Sequence, residues 1–146
     1  MAERPLRTAY PFHTAITTRW SDNDVYGHIN NVVYYSYFDS AANLYLIQHG
    51  LVLATAPSIG LVVESHCQYH APLAYPDVLA AGVRVDKLGN RAVTYGIAIF
   101  AEGDERAAAH GQLVHVFVDR VTRRSVPIPP QLRVALERLT ITPAGR

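Results

Sequence analysis

The chain is poor in cysteine, with Cys67 alone among 146 residues, so no intramolecular disulfide can form and no thiolate metal site can be assembled within it. A single thiol in such a setting reads as a small buried hydrophobe. Lysine is almost as scarce: every basic residue except Lys87 is an arginine, a bias of composition rather than a functional signal. The formal net charge is only +1, which argues against nucleic acid or an anionic membrane as the main partner. No apolar run approaches the ~20 residues needed to span a bilayer. Met1–Tyr10 also lacks the apolar stretch of a signal peptide. The expectation is a cytoplasmic protein. Repeats, linkers and low-complexity tracts are missing too, which predicts a single domain over residues 1–146.

What is present is a core. Hydrophobic residues make up 49% of the chain, and a domain of this length buries roughly 70% of its unfolded surface. Residues 1–9 read as a loose arm. His13 to Trp20 is rich in β-branched and aromatic residues and predicts a first strand. A long helix follows from about Val32 to His49, with Asn30 or Asn31 as N-cap and Gly50 at the C′ position. Its apolar residues cover most of the circumference, so it must be enclosed on several sides, by a curved sheet or by a sheet and a second subunit. Ile59–Tyr69, Asp77–Leu88, Arg91–Glu102 and Arg106–Asp119 read as strands, the last three joined by short turns and therefore antiparallel neighbours. Gln131–Leu139 predicts a short surface helix, and Thr140–Arg146 a frayed end. The fold class is α+β, ordered β-α-β-β-β-β, with one long helix wrapped by a five-stranded antiparallel sheet.

The chemistry concentrates in Asp24-Val25-Tyr26-Gly27-His28-Ile29-Asn30-Asn31, immediately before the long helix. A helix N-terminus offers unpaired N–H groups and a partial positive charge. A carbonyl oxygen turning negative during acyl transfer can be held there while Asp24 attacks or activates water. The bland alternative is a loop aspartate in an elaborate helix cap. Asp22 reads as a structural turn acid, and Gly27 as a site of positive φ or close backbone approach. His28 can polarise water, orient Asp24, bond substrate or simply stabilise the loop. Asn30 and Asn31 are caps by side chain. Asp39, mid-helix with Ser36 and Asn43, marks a narrow polar stripe. Glu64, His66, Gln68 and His70 share one strand face, which reads as solvent or a subunit interface rather than a metal site.

The run Trp20–Asn31 resembles the signature of the 4-hydroxybenzoyl-CoA thioesterase-like acyl-CoA thioesterases. The resemblance continues through Tyr37–Ala41, Tyr69-His70-Ala71-Pro72 and Val114–Arg120, and covers about residues 12–130. It implies the hot-dog fold, hydrolysis of an acyl-CoA to a carboxylic acid and coenzyme A, and no cofactor or metal. Carried over, the catalytic aspartate falls on Asp24 and the oxyanion-binding N–H on the backbone of Asn31, with His28 beside them. Tyr26, Gly27, Asn30 and Arg91 become candidate substrate contacts, Arg91 toward the coenzyme A phosphates. The family's oligomers build their sites at a dimer interface, so a homodimer or tetramer of dimers is implied. The rival readings are an acyl-carrier-protein thioesterase, a non-catalytic acyl-CoA binding protein and a hot-dog dehydratase.

Overall fold

A computed structural model describes residues 3–140. The strands are β1 (Phe12–Thr17), β2 (Ser58–Tyr69), β3 (Val78–Leu88), β4 (Ala92–Phe100) and β5 (Ala109–Asp119); the helices are α1 (Val33–Gln48) and α2 (Pro130–Glu137). The strands form one antiparallel sheet in the order β1-β3-β4-β5-β2. This is the expected hot-dog arrangement, with α1 lying in the concavity of the sheet.

Alternation explains which face closes on the helix. In β5, Ala109, Gly111, Leu113, His115 and Phe117 are buried, while His110, Gln112, Val114 and Val116 between them are only half-buried. That is the period of two expected when one face of a strand packs on a core. From α1 the core receives Tyr34, Tyr37, Phe38, Ala41, Ala42, Tyr45 and Leu46. Fully buried Phe38 and Leu46 each contribute about 1.5–3 kcal/mol of transfer free energy. The helix is not enclosed all round, however. Ser36, Asp39, Ser40, Ile47 and Gln48 stay exposed, so the sheet covers a broad face and leaves a polar stripe open.

The edges of the sheet differ. β1 is short, whereas the opposite edge, β2, runs twelve residues and carries exposed Val62 and Val63. A register shift between Val62 and Glu64 bends it. Close β2–β5 approach is built in at Gly111, where a Cβ would lie 1.9 Å from the His66 carbonyl oxygen. Only glycine fits there.

Several boundaries depart from expectation for identifiable reasons. β1 ends at Thr17 rather than Trp20, because Asp22 captures the backbone N–H and guanidinium of Arg19 and turns Trp20–Asp22 into a 3-10 helix. Residues 4–9 are not a loose arm: Arg4 and Arg7 donate to the carbonyls of Ala107, Asp104 and Ala101, and Leu6 pairs with Arg106. The C-terminal helix is docked rather than superficial, with Leu132, Ala135 and Leu136 buried and Tyr45 donating to the Ala135 carbonyl at 2.5 Å. Thr140 bridges to Val85; the remainder of the segment read as frayed lies outside the described residues.

Candidate active site

Residues 22–31 form a loop tied down at both ends. Asp22 is fully buried and accepts hydrogen bonds from the Tyr37 hydroxyl at 2.7 Å, the Arg19 N–H at 2.9 Å and Arg19 Nε at 3.1 Å. Burial pushes its carboxyl up, but these donors and the Arg19 charge outweigh it and hold the group below its ordinary range. The Asp22 carbonyl accepts the N–H of Asn30, which closes the loop across its base. Asp22 is therefore the structural acid it was read to be, though as a buried anchor rather than a simple turn residue.

Asp24 sits at the tip of this frame. Its Oδ1 accepts the N–H of Tyr26 at 2.9 Å, its N–H donates to the His28 carbonyl at 2.9 Å, and its carbonyl accepts the N–H of Gly27 at 3.1 Å. Gly27 takes φ +84°, the left-handed conformation that lets this turn close. One carboxylate oxygen is thus fixed by the loop. The other, Oδ2, makes no hydrogen bond among the described residues.

The start of α1 is organised by Asn30. Its side-chain oxygen accepts the N–H of Val32 at 3.0 Å and its carbonyl accepts the N–H of Val33. Asn31 contributes no side-chain cap: Val32 is the capping position, and it makes no side-chain cap bond of its own. The N–H of Asn31 donates to no partner among the described residues. The Asn31 carbonyl is held by the Tyr69 hydroxyl at 2.8 Å. This leaves an orphan donor at the positive end of a sixteen-residue helix.

Asp24, His28 and Asn31 meet in one open cleft of about 360 Å³. Its other walls are Ile29, Tyr34, Tyr69, His70, Ala71 and Pro72. The loop and the segment after β2 are tied by Ile29 N–H to the Leu73 carbonyl at 2.8 Å and by Tyr75 N–H to Asn23 Oδ1 at 3.0 Å. Tyr34 and Tyr69 stack edge to face at 5.1 Å, and burial pushes the Tyr34 hydroxyl up to about 12. Both phenols therefore stay protonated at neutral pH and act only as hydrogen-bonding groups.

The remaining candidates are placed elsewhere. Tyr26 and Gly27 are exposed and do not line the cleft, and Asn30 is spent on the helix start. Arg91 stands at the β3–β4 turn, where it donates to the Ser125 carbonyl and hydroxyl at 2.6 and 3.1 Å, and it does not line the cleft. Sequence reasoning left Tyr34, Tyr69, His70 and Pro72 without a place in the cleft. The run Tyr69–Pro72 carried the signal, but its contact with the Asp24 loop is made across forty residues of chain.

The polar face of β2 resolves into a network. His66 contacts Gln112 at 3.2 Å, Gln112 donates to Asp86 at 2.8 Å, and Asp86 pairs with Arg84 at 2.7 Å. His70 and His110 stack and share a hydrogen bond of 2.8 Å, and burial lowers the pKa of both. Cys67 packs against the core, and burial pushes its thiol up to about 11, as suits an unreactive side chain. Asp39 lies 3.7 Å from the Nε2 of fully buried His115, on the open stripe of α1.

A family model described as the thioesterase-like superfamily matches residues 18–136. A crystal structure of a Pseudomonas aeruginosa protein is 51% identical, covers 95% of this chain and 98% of its own, and superposes with a TM-score of 0.93. A Bacillus stearothermophilus protein described as a predicted thioesterase is 25% identical over 91% of this chain and 98% of its own, with a TM-score of 0.77. A 1,4-dihydroxy-2-naphthoyl-CoA thioesterase from Synechocystis, 17% identical, covers 88% of this chain and 96% of its own; at a TM-score of 0.78 it shares the fold.

Proposed function

The chain belongs to the thioesterase-like superfamily, and from that premise we propose that this thioester hydrolase acts on acyl-CoA, with Asp24 as nucleophile or general base. The supporting observation is the cleft itself: it is lined both by an aspartate with one carboxylate oxygen uncommitted and by Asn31, whose N–H has no partner among the described residues. In the proposed reaction the thioester carbonyl oxygen lies on the Asn31 N–H, where the helix end stabilises the negative charge of the tetrahedral state. Water adds to the carbonyl carbon as Asp24 takes its proton, or the Asp24 carboxylate itself adds, in which case loss of the thiolate leaves a mixed anhydride that water then hydrolyses to the acid and free Asp24. Collapse breaks the C–S bond and expels the thiolate, which is a good leaving group and takes up a proton from solvent. Carboxylic acid and free thiol are the products in both routes.

His28, on the same cleft, orients the attacking water or the substrate. Tyr26, Gly27 and Asn30 serve by shaping the loop, and Asn30 by leaving the Asn31 N–H in place. Arg91 meets the nucleotide phosphates only if the coenzyme extends to the β3–β4 turn. The long exposed edge of β2, which carries exposed Val62 and Val63, favours a homodimer, since such an edge is otherwise open to indiscriminate pairing. The reading is tested by thiol release from a panel of acyl-CoAs, the matching acyl-pantetheines and an acylated carrier protein. Turnover of the CoA esters supports it; turnover of the carrier-bound ester alone moves the protein to the carrier-protein class. Binding of acyl-CoA with no turnover of any thioester makes it a binding protein.

A further inference from the structure

Asn31 carries the N–H on which the proposed reaction depends, yet its own hold on the protein is slight. Its side chain and its N–H make no hydrogen bond among the described residues. Its carbonyl receives nothing from the helix that follows, because the N–H groups of Val33 and Tyr35 go to the carbonyls of Asn30 and Val32. The one hydrogen bond that Asn31 makes among the described residues comes from the Tyr69 hydroxyl, donated to its carbonyl at 2.8 Å. That bond joins two elements, since Tyr69 is the last residue of β2 and Asn31 stands just before α1. The ring of Tyr69 is placed in turn by buried Tyr34, which it meets edge to face at 5.1 Å. Partial burial pushes the Tyr69 hydroxyl up, so it keeps its proton and remains a donor through the neutral range.

We infer that Tyr69 is a positioning residue: its hydroxyl, through the Asn31 carbonyl, holds the Asn31 backbone where the N–H meets the thioester oxygen as that oxygen becomes negative. This rests on the thioesterase reading of the cleft. A donor to a developing oxyanion is fully effective only when it stands in place beforehand, since moving it during the reaction costs part of what it gives. The Tyr69–Asn31 bond lies at the surface, so water can satisfy the carbonyl once the phenol oxygen is gone. A water bonded there does not tie Asn31 to β2. Loss of the hydroxyl therefore costs rate rather than stability.

Tyr69→Phe keeps the ring and its contact with Tyr34 and removes the hydroxyl alone. Steady-state hydrolysis of the best acyl-CoA should show kcat about 5- to 50-fold lower, with KM within about twofold. That is less than the roughly 10²–10³-fold that follows outright loss of an oxyanion donor. The second measurement uses the ketone analogue of the same substrate, in which a methylene replaces the thioester sulfur and hydrolysis cannot occur. Its carbonyl stretch, read by isotope-edited infrared difference, should fall on binding to wild type and fall less on saturating Tyr69→Phe. An unchanged kcat overturns the inference and leaves the thioesterase reading standing. A lower kcat with the carbonyl shift intact also overturns it, as does a KM that rises as far as kcat falls, because Tyr69 then acts on the substrate directly. A carbonyl that does not shift in wild type, or a variant that fails to fold, overturns it as well. No thiol release from any thioester by wild type removes the thioesterase reading and the inference together.

Discussion

Replacing Tyr37 with phenylalanine removes one oxygen from the frame under Asp24 and little else. The ring is almost wholly buried, and its hydroxyl donates at 2.7 Å to a carboxylate that has no access to water. A hydrogen bond to a charged, buried acceptor contributes about 1.5–3 kcal/mol, and water cannot replace this donor without a cavity to enter. The expected fall in melting temperature at neutral pH is about 3–12 °C for a chain of this size. The pH dependence is the sharper part. The folded Asp22 carboxyl lies below its unfolded value of about 3.9, so its contribution is fully present above that pH and is lost as pH falls through the folded value. Tyr37→Phe lets that folded value rise, so the variant should lose stability at a higher pH than wild type. Urea unfolding at a series of pH values from 7 downward measures this. A difference between the two proteins that stays constant into the acid range, or that is absent at pH 7, would refute Asp22 as an ionised anchor.

Gly111→Ala should cost about 2–4 kcal/mol in chemical denaturation, since its Cβ would collide with the His66 carbonyl and part β2 from β5. By contrast, Gly27→Ala meets no atom within 4 Å and should cost only the left-handed strain of about 1–2 kcal/mol. Light scattering at micromolar concentration should give at least twice the 16.1 kDa chain mass; a stable, active monomer would contradict the pairing proposed for the β2 edge. Arg91→Ala should raise KM for acyl-CoA a few-fold at low salt with little change in kcat, because an exposed phosphate contact of about 0.5–1 kcal/mol is present equally in ground and transition states. An unchanged KM, with acyl-pantetheine turned over as well as acyl-CoA, would show that the nucleotide is not read.

Local patterns made the architecture legible. Turn signals bounded the strands, the apolar density of residues 32–47 marked α1, and Gly50, at φ +111°, stands just past its end as expected. Asp24, His28 and Asn31 were legible as a set because they are close in sequence, and the structure brings all three to one cleft. What escaped was tertiary. The far wall of the cleft comes from residues 69–72, and no local pattern says that Tyr69 will reach back to the Asn31 carbonyl. The N-terminal arm was misread for a similar reason: its arginines look solvated in sequence, yet Arg4 and Arg7 are consumed by carbonyls about a hundred residues away. The apolar circumference of α1 called for cover on several sides; the sheet supplies it over a broad face, while exposed Ile47 and half-buried Leu44 lie on the face that the sheet leaves open.

The central claim is that chemistry occurs at Asp24, between an uncommitted carboxylate oxygen and the helix-end N–H of Asn31. Asp24→Asn tests it most directly, since the amide oxygen can still accept the Tyr26 N–H and keep the loop closed while the carboxylate charge is lost. Steady-state thiol release from the best acyl-CoA should show kcat reduced by roughly 10²–10⁴-fold, with circular dichroism and melting temperature close to wild type. A well-folded Asp24→Asn protein that turns over within a few-fold of wild type would contradict the account and place the reaction elsewhere.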